Sequence, residues 1–511
     1  MKIDNITLVK PPIRVPKGSY STLRCPPLAL AYLGAAARKA GYSVTIIDSV
    51  GEAPQQVRPL SGGRFMSVGL TNVEIVARIP QDVHVLGVTC SFSEEWPVIR
   101  PMIQALAQAR PHAIIIAGGE HISAAPEFSM RDCPVIDYCV RGEGEETLVE
   151  LLSALECGDD IEGIDGIAWM EQGQYRENNP RTRILDLDTI PRPAWDLVPL
   201  ENYLVHGYGF GIGRARSVPI LATRGCPYQC TFCSSPQMWT TRWSARNPDA
   251  VLDEMGWAIK TYGAENFDFY DLTAIIRKDW LLTFCERLIQ RNYNITWQIP
   301  SGTRSEALDA ETLPLLYRAG CRYLPYAPES GSSTVLKRIK KRVKLDRMKE
   351  SMHEAVRAGL SVKCNVIVGF PGETTEEALE TIRFCWDLAA IGVDDVNVGP
   401  FCPYPGSELF DSLKAQGKIG EMNDDFFDML AMYSDLSRTN SWSENIKDRE
   451  LTLVRYAAMG CFYSRAFARR PQRVASLLHN VYTGKHQNRL DRAVGDIVGR
   501  WSNLVAGSIS R

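Results

Sequence analysis

Three cysteines stand close together in Arg224-Gly225-Cys226-Pro227-Tyr228-Gln229-Cys230-Thr231-Phe232-Cys233. At this chain's cysteine frequency the C-x3-C-x2-C spacing arises by chance about 0.01 times, so the signal is specific. Thiolates so spaced bind metal. An iron–sulfur cube normally takes four thiolates. Three leave one iron open, as catalytic metal sites do, and an open iron can chelate a substrate and pass it an electron. A three-cysteine zinc site is the alternative. It needs a fourth ligand, for which only His206, upstream, lies near in sequence. The remaining cysteines of the 14 in this 511-residue chain are scattered, mostly in apolar segments, and read as small buried hydrophobes.

The elements that must position this loop form a repeating pattern. Strand-like runs at 218–223, 266–271, 294–300, 323–327, 362–369 and 395–400 alternate with amphipathic stretches of helical length. Such alternation predicts parallel β/α units, six of them, two short of a closed eightfold barrel. The cysteine loop follows the first strand, at the carboxyl end where reactive groups sit in such folds. Other strand ends carry Tyr270-Asp271, Gly302-Thr303-Arg304, Glu329-Ser330-Gly331-Ser332 and Gly369-Phe370-Pro371-Gly372-Glu373-Thr374. Gly369 and Gly372 also suit a tight turn, and Asp271 or Glu329 a helix cap.

Residues 1–155 repeat the alternation, with strands at 6–9, 44–48, 85–89, 113–117 and 136–140. This reads as an open, doubly wound, five-stranded parallel sheet, which binds ligands outside its carboxyl edge. The loops expected there are Ser91-Phe92-Ser93, Gly118-Gly119-Glu120-His121 and Gly142-Glu143-Gly144. Their glycines let the backbone approach a large flat ligand.

The cysteine motif, with Phe232 before its last cysteine, resembles the radical S-adenosylmethionine (SAM) superfamily. The resemblance implies that Cys226, Cys230 and Cys233 hold a [4Fe–4S] cluster whose open iron binds SAM. It also implies SAM contacts from Phe232, Asp271, Arg304, Glu329, Ser330, Gly369 and Pro371. With the N-terminal sheet added, the layout resembles the cobalamin-dependent radical SAM enzymes. That implies cobalamin contacts from Ser91, Phe92, Ser93, Gly118, Gly119, Glu120, His121, Gly142, Glu143 and Gly144. Asp82-Val83-His84-Val85-Leu86-Gly87 fits the D-x-H-x-x-G motif of other cobalamin proteins. It leads into the third strand instead of following the first, so His84 is rejected as a cobalt ligand.

The fold class expected is therefore α/β: a Rossmann-like cobalamin-binding domain (1–155), a linker (156–214), a partial (β/α)6 radical SAM barrel (215–414) and a helical region (415–511). The glycine-rich run 207–214 reads as a flexible loop near the site mouth. The helical tail reads as a cap on the open barrel, with contact to a lipid bilayer or lipid-like substrate as the sharper reading. Lys plus Arg (57) nearly balance Asp plus Glu (60), a net charge of −3, which argues against nucleic acid held by broad electrostatics. No apolar run spans a bilayer and no signal-peptide pattern opens the chain, so a cytoplasmic enzyme is expected. The resemblance implies cleavage of SAM to a 5′-deoxyadenosyl radical, hydrogen abstraction from an unactivated carbon, and methyl transfer from methylcobalamin. Cyclisation, rearrangement or carbon–carbon coupling is the rival outcome, and a non-enzymatic carrier or sensor the remoter one. An electron donor such as flavodoxin or ferredoxin is implied as partner.

Overall fold

The computed structural model describes residues 2–19, 23–213 and 216–484, with isolated positions between 490 and 498. Five parallel strands form the centre of the N-terminal sheet: β1 (Asn5–Lys10), β2 (Ser43–Asp48), β3 (Val85–Thr89), β4 (Ile114–Gly118) and β5 (Tyr138–Val140). Their order, β2-β1-β3-β4-β5, reverses direction next to β1, as in a doubly wound sheet. Both faces are covered, so β4 is a nearly continuous apolar run, Ile114-Ile115-Ile116-Ala117.

The expected linker is partly sheet. β6 (Ile167–Glu171) and β7 (Gln174–Glu177) form a hairpin that pairs antiparallel onto β5, making seven strands. Gln172 and Gly173 both have positive φ (49° and 78°), the backbone a tight two-residue hairpin turn requires. A three-stranded antiparallel sheet of Ile13–Pro16, Val57–Pro59 and Phe65–Val68, not expected from the sequence, flanks the domain.

The second sheet holds β8 (Ser217–Ile220), β9 (Asn266–Phe269), β10 (Thr296–Gln298), β11 (Cys321–Glu329), β12 (Ser361–Val368) and β13 (Asp395–Pro400). All neighbours are parallel and consecutive, and β13 does not return to β8: the barrel is open, with six units. Helix ends follow sequence signals. Thr374 and Glu377 close a capping box on helix Thr375–Ile391, and Gly392 ends it in the left-handed region.

The glycine-rich run is not a flexible loop at the mouth. Phe267, Phe269 and Trp297 point outward, the two phenylalanines burying against the core and Phe269 and Trp297 packing on Phe284 of helix Lys278–Arg291. Asp268 and Gln298, alternating with them, face the barrel interior. The run packs there. Ile212 donates to Gln298 Oε1 (3.0 Å), Gln298 Nε2 donates back to the Ile212 carbonyl (2.9 Å), and Gly211 donates to Asp268 (3.2 Å). A Cβ on Gly211 would stand 2.3 Å from the Gln298 carboxamide, so any larger residue would have to displace that side chain.

The C-terminal region touches both domains. Helix Asp448–Arg469 packs on Thr375–Ile391 and on β13, where Tyr463 donates to Asp395 (2.5 Å) and buried Arg455 to the Val398 carbonyl (3.1 Å). In helix Asp424–Leu430, Asp428 pairs with Arg14 and Phe427 lies against His121. Helix Gln472–Thr483 is the last one described in full, and the remainder of the expected helical tail lies outside the described residues.

Candidate active site between the two domains

The carboxyl edge of the N-terminal sheet faces the carboxyl end of the barrel across a cavity of about 370 Å³. From the first domain, Ser91, Phe92, Gly118, Gly119, Glu120, Gly142, Glu143 and Gly144 line it. Eight of the ten residues expected to contact cobalamin therefore share one wall. The opposite wall comes from Thr223, Arg224, Gly225, Met238, Trp239 and Tyr270, which flank the cysteine loop. Gly119 (φ +114°) allows the sharp exit from β4, where a Cβ would stand 2.6 Å from the Cys90 carbonyl oxygen.

Ser93 and His121 are elsewhere. His121 is fully buried, its Nδ1 2.9 Å from Ser93 Oγ and its Nε2 3.3 Å from Ser129 Oγ, beside Trp96 and Phe427. Burial pushes its imidazole down to about 3, so it stays neutral. It holds the loop from behind and does not line the cavity. His84 lies at the opposite, amino edge of β3, bonded to Asn5.

The three cysteines are half-buried and free of disulfides. Among the described residues no group of three or more His, Cys, Asp or Glu converges on a point that would hold a single ion. Three free thiols on one loop are the donor set a cluster takes, one thiolate to each of three irons. The loop's surroundings are polar. Burial raises the Cys230 thiol, while Lys341 and Arg304 favour its thiolate and Glu329 opposes it. Burial pushes Cys233 up to about 12, with the Ser235 N–H pulling the other way. A bound metal reverses such shifts by taking the thiolate directly.

The residues expected around SAM divide into two sets. Phe232, Arg304 and Glu329 surround the cysteine loop. Arg304 stacks on Tyr228, 3.5 Å from the ring centre. Glu329, held at φ +72°, accepts from Lys341 Nζ (2.9 Å), which also lies over Phe232. A charged residue held in the left-handed region by a buried ion pair, beside a thiol loop, is the kind of outlier that functional sites hold. Asp271, Ser330 and Gly369 are turned to their own chain. Asp271 is fully buried and accepts from the Ala222 and Thr223 N–H groups and the Thr223 hydroxyl; burial lifts its carboxyl to about 6 against those bonds. It fixes the backbone entering the cysteine loop. Ser330 Oγ meets Thr381 (3.2 Å), and Gly369 donates to buried Glu373 (2.5 Å). Pro371, between Phe370 and Gly372, is half-buried on the following turn.

The contacts that join the halves are not legible in the sequence. Arg224, just before Gly225-Cys226, is buried and donates to Glu143 (3.0 Å) and to Glu145 of the first domain. Glu143 also accepts from Arg183 (2.9 Å) and the Ile184 N–H (2.7 Å). Ser234, next to Cys233, donates to Glu120 (2.5 Å). The charged triplet Glu143-Gly144-Glu145 was visible in sequence, but nothing there names its arginine partners.

Comparison with known proteins agrees with this architecture. Residues 220–385 match the radical SAM superfamily and residues 19–152 the B12 binding domain. An uncharacterized methyltransferase of Pyrococcus horikoshii is 30% identical over 427 residues, covering 83% of this chain and 86% of that protein. The anaerobic magnesium-protoporphyrin IX monomethyl ester cyclase of Synechocystis sp. is 31% identical over 66% of this chain and 62% of its own length. The radical SAM methyltransferase TsrM of Kitasatospora setae, solved with cobalamin and a [4Fe–4S] cluster, superposes with a TM-score of 0.62 at 18% identity, over 81% of this chain and 78% of that one. With both domain matches in this order on one chain, and a relative 30% identical over 83% of it, the chain belongs to the cobalamin-dependent radical SAM family.

Proposed function

We propose that this enzyme methylates an unactivated carbon of a small-molecule or lipid-like substrate, in the cytoplasm, using a [4Fe–4S] cluster, SAM and cobalamin. The observation that carries the reading is the shared cavity, in which the glycine loops of the first domain face the cysteine loop. When bound, the reduced cluster supplies the electron that splits SAM to a 5′-deoxyadenosyl radical, and methylcobalamin supplies the methyl group. Cys226, Cys230 and Cys233 would hold the cluster. Arg304, Glu329 and Phe232 would contact SAM, and Asp271 and Ser330 would hold the surrounding backbone. Gly118, Gly119, Gly142 and Gly144 open the wall for a flat ring, and Ser91, Phe92 and Glu120 supply contacts at its rim. The cavity lining contains no histidine. Arg224 and Ser234 hold the two walls together, which keeps reacting groups in register and excludes water. No helix among the described residues is long and apolar enough to cross a membrane. The electron would come from a flavodoxin or ferredoxin.

Anaerobic reconstitution with iron and sulfide tests this. About four irons per chain, a bound corrin and deoxyadenosine on reduction with SAM support it, and a protein loaded only with zinc refutes it. The likeness to the Synechocystis cyclase favours oxidative cyclisation as the second reading. Product mass separates them: a gain of one CH2 unit means methylation, and a loss of hydrogens cyclisation.

A further inference from the structure

A cleft of about 1220 Å³ lies beside the cysteine loop, lined by residues that do not line the inter-domain cavity. One wall is the tip of the cysteine loop, Pro227-Tyr228-Gln229, with Pro227 and Gln229 exposed. The others come from the 337–349 segment and from one face of helix Thr375–Ile391. Eight lysines and arginines line the cleft against three carboxylates, on a chain whose net charge is −3. Some of these cations are committed: Lys341 to Glu329, Lys340 to Glu408, Lys349 to Asp346 and Arg347 to the Glu306 carbonyl (3.0 Å). Lys337, Arg342, Lys344 and Arg383 are exposed and have no carboxylate partner among the described residues. Four unpaired cations on one concave face repel one another, a cost that an anionic partner relieves.

This basic segment is bonded to the cysteine loop. The Thr231 N–H donates to the Ile339 carbonyl (3.1 Å). Arg304, stacked on Tyr228, donates to the Arg342 carbonyl. A partner seated on the cleft would therefore touch the loop between Cys226 and Cys230 directly. None of the residues lining this cleft lines the cavity shared with the first domain. We propose that this cleft is the docking face for an acidic one-electron donor protein of the flavodoxin type, steered by Lys337, Arg342, Lys344 and Arg383. The inference rests on the reading of Cys226, Cys230 and Cys233 as cluster ligands, since only a redox centre there gives such a partner a reason to dock. One electron passes per encounter, from the reduced flavin to the oxidised cluster, with no covalent step. Weak, small, salt-sensitive contacts are typical of such encounters.

The test uses reconstituted enzyme, a purified acidic flavodoxin, and the variant Lys337→Glu/Lys344→Glu/Arg383→Glu, all at exposed positions. Flavodoxin binding followed by flavin fluorescence at low salt should weaken about tenfold or more in this variant and less in the matching glutamine variant. Wild-type binding should weaken steeply as salt shortens the screening length. Iron content and dithionite-driven deoxyadenosine formation should match wild type in both variants. Unchanged flavodoxin binding in the charge-reversal variant overturns the proposal. So does loss of pyrophosphate binding with flavodoxin binding intact, which would make the cleft a small-anion site. If dithionite yields no deoxyadenosine even in wild type, the proposed function fails, while the binding measurement still reads the docking face separately.

Discussion

Replacing Arg224 by methionine tests whether the inter-domain clamp holds the site together. The Arg224 side chain is 6% exposed and faces two carboxylates, Glu143 at 3.0 Å and Glu145. Those charges were taken from water, so their value shows mainly when one partner is removed. Breaking such a buried pair costs about 3–5 kcal/mol, because the remaining charge stays buried. Glu143 keeps Arg183 and the Ile184 N–H, whereas Glu145 is 11% exposed and loses its direct partner. The stranded charge is chiefly that of Glu145, whose carboxyl is held below its ordinary range, with Arg224 overcoming the penalty of burial. We therefore expect about 3 kcal/mol, at the lower end of that range. Adding Glu145→Gln should return about 2 kcal/mol by restoring neutrality, a coupling typical of residues in contact. Urea unfolding of the apo-protein measures both. Arg224 and both glutamates line the inter-domain cavity, so corrin affinity should fall with the single variant and recover in part with the double. A loss under about 1 kcal/mol, or strictly additive single variants, would refute the clamp.

Alanine at any one of Cys226, Cys230 or Cys233 should drop iron well below about four per chain and abolish the visible iron–sulfur absorption, while circular dichroism stays native. Gly119→Ala forces a Cβ within 2.6 Å of the Cys90 carbonyl oxygen at φ +114°. It should cost about 1–3 kcal/mol in thermal or urea unfolding and weaken corrin retention, and a neutral effect would show that the turn is adaptable. Glu373 is fully buried; burial lifts its carboxyl to about 7 against the Gly369 and Phe370 N–H groups that pull it down. The folded state then binds the proton more tightly than the unfolded chain, so this group's contribution to stability is full below about pH 4.5 and is lost as pH rises to about 7. Wild type should lose about 3 kcal/mol across that window relative to Glu373→Gln, read by urea titrations at each pH; parallel curves would exclude the coupling.

Much of the site could be read in one dimension because its chemistry is local. The cysteine spacing lies within one loop, and parallel strands alternating with helices place every following loop at one end of the sheet. The 294–300 strand is shorter than the pattern suggested, and β11 longer, but the order of all six was legible. What could not be read depends on partners far apart in the chain. Gly207–Gly213 has the composition of a mobile loop. Asp268 and Gln298, which hold it inside the barrel, are 57 and 86 residues away from the positions they bind. His121 has the residue type of a ligand but is enclosed by Trp96 and Phe427, the latter from the C-terminal region.

Residue type, spacing and hydrophobic period decided that three thiols would share a loop at the carboxyl end of an open β/α barrel, behind a second parallel sheet. Those signals act over a few residues, so they survive without a partner in view. Tertiary structure alone decided that the two carboxyl edges face each other, that Glu143 and Glu145 receive Arg224, and that Asp271 and Ser330 support backbone instead of facing the cavity. Each of these is settled by which charges and apolar surfaces can be buried together across long separations, and that compatibility exists only once the chain is folded.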